Sequence, residues 1–202
     1  MITKDISLTD CILDLVENAI DGARRAVGSG PAVSFAGYKV AITVSADKFS
    51  IADNCGGIRL SDAIDYAFHF GRRADAPDDV KGGIGLYGIG MKRAMFKIGR
   101  LATVTSHADD ESFQVVVNVD QWKKSEENWN FEYLEVDRLS KRGTHIEIGR
   151  LNSGVSEAFT DNVFINELTK IISRDYAFLL DKGLEILVGD TYPTSLVHYH
   201  SE

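Results

Sequence analysis

The chain has little with which to cross-link, kink or anchor itself. Cys11 and Cys55 are its only cysteines, in no metal-ligand spacing. That excludes a disulfide scaffold and a zinc module, and suits a reducing compartment. Three prolines and no low-complexity tract leave no linker at which to divide it. No run of 18 apolar residues occurs, so no membrane span is expected. Asp5, Asp10, Asp14, Glu17 and Asp21 in the opening segment exclude an ordinary secretory signal. The simplest expectation is a cytoplasmic protein without a membrane partner. Basic charge is also scarce. The net charge of -8 argues against a broad nucleic-acid-binding face. A small anionic ligand stays open, because local N–H groups and a metal ion can carry that attraction.

What the chain does have is glycine in one place. Gly82-Gly83-Ile84-Gly85-Leu86-Tyr87-Gly88-Ile89-Gly90-Met91-Lys92 holds five glycines in eleven residues and ends in a lysine that opens an apolar helical pattern. Glycines let backbone N–H groups approach a polyanion, and a helix start adds partial positive charge. The run reads as a phosphate cradle, with Lys92 in a first helical turn; a surface loop leading into a helix is the plainer reading. Gly83, Gly85 and Gly88 satisfy G-x-G-x-x-G, but a polar loop containing Pro77 precedes them where a dinucleotide fingerprint needs a buried strand. A P-loop fails too, since Met91-Lys92-Arg93 follows Gly90.

Periodicity supplies the frame. Ile12, Leu15, Val16, Ala19, Ile20, Ala23 and Val27 give one apolar face to a helix over 8–27, with Ser7 or Thr9 as its cap. Strands are expected at 40–45, 49–52, 101–106, 113–119, 131–136, 145–148 and 184–188. Helices are expected at 61–70 with Ser61 as cap, at 90–98, and at 162–181 with Gly183 as its stop. Residues 71–89 read as a long binding loop or lid. Strands grouped together rather than alternating with helices predict an α+β fold, with helices on one face of a mixed, mainly antiparallel sheet.

Three further segments carry polar groups in suggestive places. Asp14, Asn18 and Asp21 fall at i, i+4 and i+7 on one helical stripe. An Asn carbonyl with phosphate oxygens and waters suits magnesium. A carboxylate one turn earlier suits activation of a water; a solvated helix face explains the same stripe. Asp53-Asn54-Cys55-Gly56-Gly57-Ile58 ends a strand. Its Asp suits an adenine amino group, although a tight turn uses the same residues. Gly143-Thr144 opens a late strand, where a hydroxyl is able to share a water or a base edge with Asp53.

In order and spacing these four segments resemble the GHKL ATPase superfamily of gyrase-type topoisomerases, heat-shock chaperones, histidine kinases and MutL. The phosphate box, with a lysine after its glycines, is most similar to that of microrchidia-type ATPases. The resemblance spans about residues 8–150 and implies a Bergerat-type α/β sandwich that binds ATP and Mg2+. It implies Asn18 on the metal and Asp53 on the adenine, with Asp21, Gly57, Ile58 and Thr144 around the nucleotide. It also implies Gly85, Leu86, Tyr87, Gly88, Ile89, Gly90, Met91 and Lys92 around the phosphates. Residues 1–150 would be the ATP-binding domain. Residues 151–202 would complete it or begin a second, transducer-like domain.

Two departures stand out. Asp14 occupies the place where ATPase members carry a water-activating Glu, and Cys55 replaces the first glycine of the adenine box. The resemblance implies slow ATP hydrolysis, with Asp14 and Lys92 as catalytic residues, driving lid closure and an ATP-dependent homodimer. A non-catalytic ATP-binding module, or a kinase module acting on a partner, are the alternatives.

Overall fold

The computed structural model describes residues 6–30, 32–64, 84–122, 133–137, 141–191 and 193. Helix α1 (Leu8–Val27) forms where the apolar period predicts it. The Ser7 hydroxyl accepts the Asp10 N–H at its start, and Arg24 and Arg25 complement the dipole at its end. Cys11, Ile12, Leu15, Val16, Ala19, Ile20 and Ala23 are buried along one side.

That side lies on a seven-stranded sheet. Its strands are β1 (Lys39–Val44), β2 (Lys48–Asp53), β3 (Gly99–Ala108), β4 (Glu111–Asn118), β5 (Tyr133–Glu135), β6 (Gly143–Leu151) and β7 (Glu185–Val188), in spatial order β5-β4-β3-β6-β2-β1-β7. Every neighbouring pair is antiparallel except β1 with β7. Strand alternation sends one row inward across six strands: Val188, Ile42, Ile51, Ile146, Val104 and Val115. Burying each such side chain contributes about 1.5–3 kcal/mol. That outweighs the exposed ion pairs, at about 0–1 kcal/mol each. The opposite face carries Thr43, Ser50, Glu147 and Thr103, so the expected α+β sandwich with helices on one face is present.

The remaining helices are α2 (Leu60–Asp62), α3 (Ile84–Ile98), α4 (Val119–Trp122), α5 (Val155–Thr160), α6 (Asn162–Asp175) and α7 (Ala177–Asp181). Residues of α1, α3, α5, α6, α7 and β7 share one hydrophobic core, with the Phe49 and Phe159 rings stacked 5.8 Å apart. No helix among the described residues is long and apolar enough to cross a membrane.

Four details depart from the sequence expectation. The glycine run is not loop as far as residue 89, because α3 already begins at Ile84. Lys92 therefore sits in the third turn and not the first. Ser61 does not cap α2; the capping position is Arg59, without a side-chain bond. The expected helix over 162–181 breaks at Tyr176 (φ -108°, ψ 14°), and α5 precedes it. Leu168, Ile172, Tyr176 and Leu179 keep helical spacing across the break, so periodicity alone does not show it. Gly183 does end α7: at φ +95° its N–H bonds Leu180 O while the Leu184 N–H bonds Leu179 O. Residues 65–70 of the helix expected over 61–70, and residues 71–83 of the expected lid, lie outside the described residues.

Candidate functional site

Strand β2 ends at Asp53, and inward alternation makes its carboxyl the floor of a cleft between the sheet and α1. Asp53 Oδ1 accepts the Cys55 N–H at 2.8 Å, and the carboxyl also accepts the Thr144 N–H. Burial outweighs these two donors and pushes the Asp53 carboxyl up to about 6. Beside it, Ser106 Oγ accepts the Ile58 N–H at 2.7 Å and lies 3.4 Å from Thr144 Oγ1. Ser106 is fully buried. It ties the loop after β2 to the middle of the sheet.

That loop explains how the box tolerates a cysteine. The left-handed backbone falls on Gly56 (φ +115°) and Gly57 (φ +74°), and Cys55 needs none. A Cβ on Gly57 would stand 2.1 Å from His107 O, so the chain passes directly over the end of β3. The Asn54 side chain bonds the Lys39 N–H and Gly37 O, at 2.6 and 2.8 Å, and fixes the loop's other side. The Cys55 thiol is buried, which pushes it up to about 12 and leaves it unreactive.

Helix α1 forms the other wall. Leu15, Asn18, Ala19, Gly22 and Arg25 line the cleft with Ile51, Ile58, Met91 and Ile146. It opens into a cavity of about 300 Å³ bounded by Arg25, Arg59 and Arg142. Asp109 pairs with Arg59 and Arg142 at 3.2 and 3.4 Å. The rim therefore mixes these three arginines with Asp62 and Asp109.

The structure brings Asn18, Asp53, Gly57, Ile58, Met91 and Thr144 to this cleft. Asp21 is not among the lining residues; its carboxylate meets Arg24 at 2.9 Å. Asp14 is not among the residues lining the cleft; its Oδ2 lies 3.1 Å from the Arg93 guanidinium on α3. Glu17 accepts from Arg24 and from the Tyr176 hydroxyl. Lys92 is buried, only 2% exposed, and burial pulls its ammonium down to about 8. It is not among the residues lining the cleft. Gly85, Leu86, Tyr87, Gly88 and Ile89 lie in the first two turns of α3.

A family model described as "Histidine kinase-, DNA gyrase B-, and HSP90-like ATPase" matches residues 6–147. The chain belongs to this GHKL family. The match runs from the start of α1 into β6, so both walls of the cleft fall within it. Membership supports ATP as the ligand of this GHKL domain. No curated protein matches the chain.

The residues present fit that ligand. Asp53 is a fixed acceptor at the floor of a slot walled by Leu15, Ile51, Ile58 and Ile146, which suits a flat base with an amino group. Asn18 offers a side-chain oxygen on the same wall. Among the described residues no three His, Cys, Asp or Glu side chains gather as a cage. Magnesium held through phosphates and waters needs none.

Sequence reasoning missed Gly22 and Ser106. A Cβ on Gly22 would meet Cys55 O at 2.4 Å, so α1 packs directly on the adenine-box loop. A glycine inside a 20-residue helix costs about 1 kcal/mol, and that cost was the available signal. Nothing local marks Ser106. Ser106→Ala leaves the Ile58 N–H without its partner, at a cost of about 1–3 kcal/mol. A lowered urea midpoint together with weaker ATP binding is the expected result.

Proposed function

We propose that this GHKL domain binds Mg-ATP and hydrolyses it slowly, in the manner of microrchidia-type ATPases, to drive lid closure and dimerisation. The observation that carries the reading is the Asp53 carboxyl, held by two backbone N–H groups on the floor of an apolar slot. It leaves the base end of the site preformed. Asn18 is the residue that would hold magnesium. When bound, the metal offsets charge on the phosphates. Gly85, Gly88 and Gly90 give the start of α3 room for phosphates, and Lys92 takes its catalytic part only if α3 rearranges as the lid closes. Asp14 acts as the base toward a water. Pairing of β7 with β1 supports counting residues 151–188 with the same domain.

The deciding experiment is calorimetry of ATP and GTP, with and without magnesium, followed by phosphate release on the same sample. Magnesium-dependent binding that prefers ATP is expected, with slow release. Equal binding of GTP contradicts the Asp53 assignment. Asn18→Ala is expected to abolish the magnesium dependence; an unchanged dependence removes Asn18 from the metal. Asp14→Asn is expected to lower turnover by about 10²–10⁴-fold while leaving affinity within about twofold.

A further inference from the structure

The departure at Asp14 has a structural counterpart on α3. An aspartate is one methylene shorter than the glutamate of the ATPase members, so its carboxylate reaches less far from α1. Here the opposite helix comes to meet it. A Cβ built on Gly90 would lie 3.3 Å from Asp14 Oδ2 and 3.6 Å from Asp14 Cβ. A methyl there would crowd Asp14 Oδ2 slightly, so the bare glycine eases that approach. One turn further along α3, the Arg93 guanidinium reaches back and holds the same Oδ2 at 3.1 Å. Both side chains are about one-third exposed (35% for Arg93, 34% for Asp14), so the pair is partly buried between α1 and α3. Arg93 Nε is buried without a hydrogen-bond partner, so the guanidinium is pressed into the helix interface and not swinging in solvent.

We propose that Arg93 is a positioning residue for Asp14: with Gly90 it anchors the shortened carboxylate against the phosphate-box helix by one oxygen, leaving the other to face a water. The proposal rests on Asp14 being the base. A base oriented by a third group is the general pattern of activated nucleophile sites. A misplacement of about 1 Å costs on the order of a hundredfold in rate. The same contact ties the position of the base to α3, so a lid movement that shifts α3 also moves Asp14.

The test uses the full chain and four variants: Asp14→Asn, Arg93→Ala, Arg93→Lys and the Asp14→Asn/Arg93→Ala pair. Phosphate release gives kcat and KM, calorimetry gives ATP affinity, and thermal melting reports folding. The expected result is a kcat about ten- to a hundredfold lower in Arg93→Ala, with KM and affinity within about twofold of wild type. Arg93→Lys, which keeps a cation on α3, recovers part of the rate. The double variant is no slower than Asp14→Asn, because Arg93 acts only through Asp14. If Arg93→Ala fails to fold, Arg93→Lys and Arg93→Gln carry the comparison. An inactive Asp14→Asn beside a wild-type rate in the Arg93 variants overturns the positioning role and leaves the base assignment standing. Faster turnover on removing Arg93 also overturns it, since the pair would then be a brake. Wild-type turnover in Asp14→Asn, or no turnover in the wild type, removes the base assignment and this proposal with it.

Discussion

Asp53→Ala is expected to weaken ATP binding by about 10- to 100-fold, the loss of one hydrogen bond to a charged acceptor. Asp53→Asn is expected to bind ATP and GTP alike. The carboxyl is already held by the Cys55 and Thr144 N–H groups, so little ordering remains to be done when a base arrives. Burial sets a pH dependence whose sign follows from the shift. The Asp53 carboxyl lies at about 6 in the folded chain against the ordinary 3.8. An adenine amino group donates best to the ionised form, so binding pulls the carboxyl down and releases protons. Affinity is therefore expected to be level above about pH 7 and to fall as pH drops through 6. In the free protein the same shift has the opposite consequence. Ionised Asp53 costs stability that is absent below about pH 4 and fully present above about pH 6. Calorimetry in buffers of different ionisation enthalpy checks the first claim, and melting curves of wild type and Asp53→Asn across pH 4–7 check the second. A flat affinity from pH 5 to 8 would mean that the carboxyl is not raised in the free protein, and equal binding of ATP and GTP by the wild type is the result that removes Asp53 from the adenine.

Gly22→Ala is the second large effect. In an isolated helix the change would stabilise by about 1 kcal/mol. Here the new methyl meets Cys55 O at 2.4 Å, a backbone atom of a loop pinned by Asn54 and Ser106. Overpacking of this kind costs about 1–3 kcal/mol, so the net change is a loss of up to about 2 kcal/mol in overall stability. The binding site does not escape. Either α1 moves away from the sheet or the Cys55 loop moves off Asp53. A melting temperature lowered by up to about 8 °C is therefore expected, with ATP affinity down at least tenfold. Wild-type affinity in Gly22→Ala would mean that the helix and loop do not form the two walls of the site.

The sequence by itself determined what depends on local pattern. The apolar period and Ser7 specify α1, whose bounds fall where they were expected. Alternation specifies the strands, and their grouping, rather than a strict alternation with helices, specifies a mainly antiparallel sheet. Asp53 and Gly57 were legible as the end of a strand and a tight loop because only glycine takes the backbone needed at Gly56 and Gly57. Tertiary structure decided which polar groups meet. Asp14, Asn18 and Asp21 share a stripe in the sequence, yet Asn18 faces the cleft, Asp21 faces Arg24 and Asp14 faces Arg93. A helical period fixes the angles between residues on one helix and says nothing of what stands opposite each angle. The same holds for Ser106, an ordinary strand serine until the loop after β2 is laid over it. It holds too for Lys92, whose burial in the third turn of α3 no local spacing shows. Contacts between elements far apart in the chain are set by which faces pack together, and no local period encodes that.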